Sequence, residues 1–305
     1  LSLCPLIRPS ALPWPRTDIV YLTAEESSAG DLVVGGDGNT MPTQRLSTGE
    51  LAVMAKDLPP MSARRISVRK GKAVALGSVR GEGSTLENGV LSLTISKTTG
   101  AIDMLRWKRN GLQLADLNLG AGFNEYLYVP GKDPTDSKRL TNVRVSVKER
   151  GKLLSSLLVE ADAPGCKSYS YEVRVFDGME RVDIVNTIDK QAVRAKEGVH
   201  IAFPFAVPGG ELRYDVAHGV VRPGSEQLPG SCKNFLSVVS WVDISNDQRG
   251  VTWATVDAPL IEVGAITAEK PWMKEIPPAQ NFYSYVMNNY WHTNYKADQE
   301  GMVLF

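Results

Sequence analysis

Apolar residues recur along this chain at every second position and almost nowhere at every third or fourth. In "GVLSLTIS" (89–96) Leu91, Leu93 and Ile95 fall on one side and Val90, Ser92 and Thr94 on the other. That is the pattern of a half-buried strand, because successive side chains of extended backbone point to opposite faces. "KTTG" turns it into a second run, "AIDMLRW". The alternation returns in "NVRVSVKER" (142–150), "KLLSSLLVEA" (152–161), "SYSYEVRVFDG" (168–178) and "ERVDIVNTID" (180–189), and later in "VHIAFPFAV", "FLSVVSWVDI" and "GVTWATV". Gly-, Pro- and Asp-bearing turns such as "ERGK", "ADAPG" and "DGME" separate the runs. No amphipathic helix longer than about three turns is expected, and "GLQLADLNLG" is the best candidate for a short helical turn. The chain is therefore expected to be all-β. Its long central runs suit a large antiparallel β-sandwich better than a compact immunoglobulin-like module.

"RGEGST" (80–85) marks the expected boundary. Residues 1–80 form a smaller strand-rich segment, in which "VVGGDG" (33–38) reads as a hairpin loop because no helical pattern follows it. Residues 81–305 form the main body. The start of the chain is broken by Pro5, Pro9, Pro13 and Pro15 and lacks an unbroken apolar h-region; the first residue is Leu1, so a processed chain or a piece of a longer one is expected.

Charge narrows the partners. Lys plus Arg and Asp plus Glu are 34 each, and no basic cluster exceeds short pieces such as Arg69-Lys70-Gly71-Lys72. Such a balance argues against nucleic acid or an anionic membrane as partner, and no apolar run approaches the roughly 20 residues of a membrane helix. Cys4, Cys166 and Cys232 are odd in number and far apart, so neither a disulfide framework nor a zinc knuckle is expected.

Candidate chemistry is sparse. His200, His218 and His292 are not at metal-ligand spacing. His200 and His218 read as core or edge histidines, with one alternative: the His/His/Glu site of a mutarotase, in which histidine protonates the ring oxygen and a carboxylate removes a proton. Asp298 and Glu300 would share a face if they lie on a strand, which alone does not make a glycosidase pair. No nucleophile elbow, P-loop or dinucleotide fingerprint occurs. The densest polar-aromatic stretch is "YVMNNYWHTNYKADQEG" (285–301). Trp291 offers a flat apolar face, and Asn289, His292 and Asn294 offer hydrogen-bonding edges, as a pyranose would require.

That stretch resembles the C-terminal β-region of family 38 glycoside hydrolases, the α-mannosidases, especially bacterial-type members. "PWPRTDIVYL", "DLPPMSARRISV", "TLENGVLSLTISKTTGAIDML", "EYLYVPG" and "VDIVNTID" are similar to family segments and occur in the same order, so the resemblance covers most of the chain from about Pro13. It implies a supersandwich like that of galactose mutarotase. It further implies a retaining enzyme with a zinc ion and an aspartate nucleophile, both carried by N-terminal barrel and helical parts outside this chain. No catalytic residue and no metal ligand is therefore expected here. The expected partners are a mannoside or other glycan and the N-terminal catalytic domain of the same protein. The resemblance also implies a sugar-contacting tyrosine in the "EYLYVP" strand, matched by Tyr126, with Tyr128 on the same face as the alternative register. Asn289, Trp291, His292 and Asn294 would either touch the sugar or clamp the catalytic domain. A stand-alone aldose mutarotase and a non-catalytic carbohydrate-binding domain remain as rival readings.

Overall fold

The computed structural model describes residues 6–267, 271–290 and 301–304. These residues are almost entirely β, arranged in several antiparallel sheets; helical structure is confined to single 3-10 turns such as Leu117–Leu119. That turn lies within the segment expected to be helical, capped by the Asp116 carboxylate accepting from Asn118 N–H and closed by Gly120 at φ 76°. Two compact units emerge: residues 1–90 with 147–157 and 173–183, and residues 91–146 with 158–172 and 184–305.

In the first unit the alternation of strand Leu51–Leu58 sorts its side chains into two cores. Leu51, Val53 and Ala55 pack with Leu22, Val33, Met41, Ile66 and Val68. Ala52 and Met54 face the other way and pack with Ile19, Leu46, Leu153, Leu154 and Phe176. A strand covered on both faces loses the polar positions of a half-buried one, and only Lys56 and Asp57 near its end are exposed. The expected hairpin forms between strands Leu32–Gly35 and Thr40–Met41, with the first half of "VVGGDG" in the first strand and residues 36–39 as its loop. Asp37 accepts from both the backbone and the side-chain amide of Asn39 there.

The second unit is organised by a sheet of order Glu125–Pro130, Glu197–Pro204, Asn281–Asn288, Leu260–Val263 and Leu236–Ser237. Every residue of Glu197–Pro204 is buried. At one end of this sheet Phe123, Phe203, Phe205, Trp253 and Phe282 form an aromatic cluster with ring centroids 4.7–6.4 Å apart, within the range of tilted and edge-on ring packing. The expected run "FLSVVSWVDI" splits into Leu236–Ser237 and Trp241–Ser245. The cause is Asp215, whose carboxylate accepts from the backbone N–H of Val239, Ser240 and Trp241 and from the Ser240 hydroxyl. Three adjacent amides turned toward one carboxylate cannot also serve a ladder.

Candidate functional site

Several buried ionisable groups of the second unit lie on or beside the sheet just described. Tyr128 lies opposite Val199; Glu197, two residues earlier, shares that face. The Tyr128 hydroxyl donates to Glu197 Oε2 at 2.7 Å. Lys190, the last residue of strand Val182–Lys190, places Nζ 2.8 Å from Glu197 Oε1. The directed bond of that ammonium goes to the Gln191 carbonyl, at 2.6 Å, so proximity rather than alignment holds the ion pair. The Lys190 and Glu197 side chains are 4% and 0% exposed, which makes each dependent on the other's charge. Burial and the acceptor Glu197 push the Tyr128 phenol well above its ordinary pKa, so it acts as a donor.

The neighbouring Tyr126 is fully buried. Its hydroxyl donates to the Pro164 carbonyl at 2.6 Å and sits 3.2 Å from Cys166 Sγ, and its ring lies 5.1 Å from that of Tyr169. Burial, then the neighbouring Cys166, raise the Tyr126 phenol strongly; burial also raises the Cys166 thiol. Both tyrosines rest on the turn "APGC", where Gly165 adopts φ 76° and a Cβ would stand 2.5 Å from the Tyr128 ring. Only glycine meets both demands.

Asn289 joins the same cluster from the far strand. Its backbone N–H donates to the Glu197 carbonyl at 2.8 Å, and its side-chain amide donates to the Val193 and Ala195 carbonyls, each at 3.1 Å. The structure thus brings Tyr128 and Asn289 together on Glu197, with Tyr126 beside them on the same strand as Tyr128 but bonded to the Pro164 carbonyl. Trp291, His292 and Asn294, with Asp298 and Glu300, lie outside the described residues. The sequence does not single out Glu197 or Lys190, and it offers Cys166 only as an isolated cysteine. A carboxylate opening an otherwise apolar strand, "EGVHIAFPF", is the one signal that could have found Glu197.

A second buried pair lies on the opposite face. His200 is opposite Leu127 and Tyr285. Its Nε2 is 2.6 Å from Glu262 Oε2 without hydrogen-bond alignment, and its ring stacks on Tyr285 at 4.5 Å and 6°. Glu262 Oε1 accepts from Thr267 N–H at 2.7 Å. Both members of the pair are 0% exposed, so no substrate hydroxyl reaches them through the described residues. His218, by contrast, is an exposed turn residue at φ 65° between strands Glu211–Val216 and Gly219–Val221. The two histidines do not share a site.

The family described as glycosyl hydrolases family 38 C-terminal domain matches residues 86–257, more than half of the chain. The chain belongs to that family. The solved structure of an alpha-mannosidase from Enterococcus faecalis V583 superposes over 98% of this chain and 42% of its own, with 11% identity and a TM-score of 0.68. A protein in the glycosyl hydrolase family 38 from Enterococcus faecalis gives 99% and 43%, with 13% identity and a TM-score of 0.67. At such identities the likeness concerns the fold, and it confirms the all-β architecture. This family 38 chain spans less than half the length of those relatives. No curated protein matches it in sequence. For the zinc that the family resemblance implies, the described residues offer no group of three or more His, Cys, Asp or Glu side chains placed to hold a metal ion.

Proposed function

We propose that this chain is the C-terminal β-region of an α-mannosidase-like retaining glycoside hydrolase, scaffolding the catalytic barrel and contributing to the wall of the sugar site. The observation that carries the reading is the family match over residues 86–257. In this reading the Glu197 cluster is the buttress. Its charges are internally paired and its tyrosine hydroxyls are spent on Glu197 and Pro164, so it holds position rather than moves protons. Tyr126 and Asn289 act from within. Asn289 anchors the chain immediately before Trp291, His292 and Asn294, whose aromatic face and polar edges meet the sugar. The nucleophile and the zinc ligands belong to the catalytic domain.

The reading is tested by assaying the protein that carries this chain on a panel of aryl glycosides, with the configuration of the first-formed sugar followed by NMR. Release of the α-anomer from aryl α-mannosides, ahead of other glycosides, is expected. Inversion of configuration, or preference for another sugar, would overturn it. The rival reading, an aldose mutarotase, is not favoured: His200 and Glu262 face each other at 2.6 Å and are 0% exposed, which leaves no place for a sugar between them. Accelerated α/β interconversion of free aldoses, abolished by His200→Gln, would decide for that alternative.

A further inference from the structure

At the end of the central sheet remote from Glu197 the second unit contains a cavity of about 600 Å3. Val263 pairs with Phe282, and Phe282 with Phe203, six residues along the strand from Glu197, or ~20 Å at 3.3 Å per residue. The cavity is therefore not part of the cluster to which the sugar-site wall was assigned. Its volume lies within the ~300–1,000 Å3 of small-molecule sites.

Its walls are built rather than draped. The Gln280 amide accepts from Val207 N–H at 2.8 Å and donates to the Val207 and Gly210 carbonyls at 2.7 Å each, tying the 275–280 wall to the head of strand Glu211–Val216. Gly224, at φ 82°, holds the left-handed conformation that favours glycine and sets the opposite wall in ordinary van der Waals reach of Ile276. The Glu211 carboxylate lies 2.8 Å from both Arg213 Nη2 and Arg222 Nε. Arg222 also pairs with Glu226 through its side chain, and its backbone N–H donates to Glu226 Oε2 at 2.8 Å.

The chemistry of that lining selects a ligand class. The cavity carries Glu211, Glu275 and Arg222, and Arg222 is already shared between two carboxylates, so nothing there favours an anion. Glu211 and Arg222 remain 48% and 42% exposed. Locked side by side, they present an acceptor next to a donor, the complement of two vicinal hydroxyls, each of which both donates and accepts. Pro223, Pro277 and Pro278 add C–H surface, which suits the apolar face of a pyranose. We propose that this cavity is a neutral-oligosaccharide subsite, separate from the proposed sugar-site wall, that holds a distal part of a glycan.

The test titrates the protein that carries this chain with a thio-linked mannotriose, which resists hydrolysis, and with sodium sulfate, by calorimetry. The expected result is a binding event for the triose and none for sulfate. The double variant Glu211→Ala/Arg222→Ala removes both charges together. It should weaken that event about tenfold, as loss of a charge-assisted hydrogen-bonded pair does. Ser225→Trp, which fills the cavity and leaves the ion pairs alone, should do the same. Both variants should leave hydrolysis of a small aryl glycoside within about twofold. Sulfate binding in preference to the triose, or triose affinity unchanged in either variant, overturns the proposal. The hydrolysis arm separates that outcome from failure of the mannosidase reading.

Discussion

Replacing Glu197 by Gln keeps the shape of the side chain and removes its charge. Lys190, 4% exposed, is then left beside a neutral amide, with the Gln191 carbonyl as its directed partner. Breaking a buried ion pair from one side costs ~3–5 kcal/mol, because the remaining charge stays desolvated. The Tyr128 hydroxyl would also exchange a carboxylate acceptor for an amide oxygen, so the loss should fall at the upper end of that range. Against a total stability of ~5–15 kcal/mol this is a large fraction. Urea denaturation followed by circular dichroism at 25 °C reads it directly, with the midpoint falling and the slope unchanged. The companion variant Lys190→Met/Glu197→Leu removes both charges and should recover most of the loss, since apolar replacement of a buried pair is often neutral or stabilising. A loss below ~1 kcal/mol for Glu197→Gln, or a double variant as unstable as the single one, would refute the reasoning that the pair is desolvated and mutually dependent.

Other consequences are smaller and separable. Asn289→Ala leaves the Val193 and Ala195 carbonyls without its amide and should cost ~1–3 kcal/mol in the same denaturation assay. His218→Gly relieves a left-handed backbone at an exposed turn and should be neutral or raise the melting temperature slightly; a fall of several degrees would contradict the turn assignment. For Asp215, burial pushes the carboxyl upward, but the Ser240 hydroxyl and the N–H groups of Ser240, Trp241 and Val239 outweigh it, so its pKa is lowered. A depressed folded-state pKa contributes stability above the ordinary carboxylate value and loses it as pH falls through the folded value. Wild-type stability should therefore drop with acid below pH ~4 more steeply than that of Asp215→Asn, as read from denaturation curves between pH 2 and 7.

Most of the fold was legible because strand alternation is a local signal. The runs read at 89–96, 142–150 and 180–189 appear as Leu91–Ile95, Thr141–Glu149 and Val182–Lys190. The break at 238–240 was not legible, because it depends on Asp215, more than twenty residues away. The candidate site was visible only in outline. Tyr126, Tyr128 and Asn289 stand out as polar or aromatic residues along the chain, but Glu197, the partner of Tyr128 and Asn289, and Pro164, the partner of Tyr126, are long-range contacts that no spacing encodes. His200 and Glu262 met for the same reason: strands Glu197–Pro204 and Leu260–Val263 both flank Asn281–Asn288, which follows them in sequence.

Whether the β-region cleaves or only supports is read most directly by assaying two proteins side by side on an aryl α-mannoside with added zinc. One is this chain alone, with circular dichroism confirming that it is folded; the other is the longer protein that the proposed function implies, with a catalytic domain ahead of this chain. Hydrolysis by the longer protein and none by the folded chain is the predicted result. Turnover by the chain alone at the rate of an ordinary glycosidase would contradict it, and would move the cutting residues into the sheets described above.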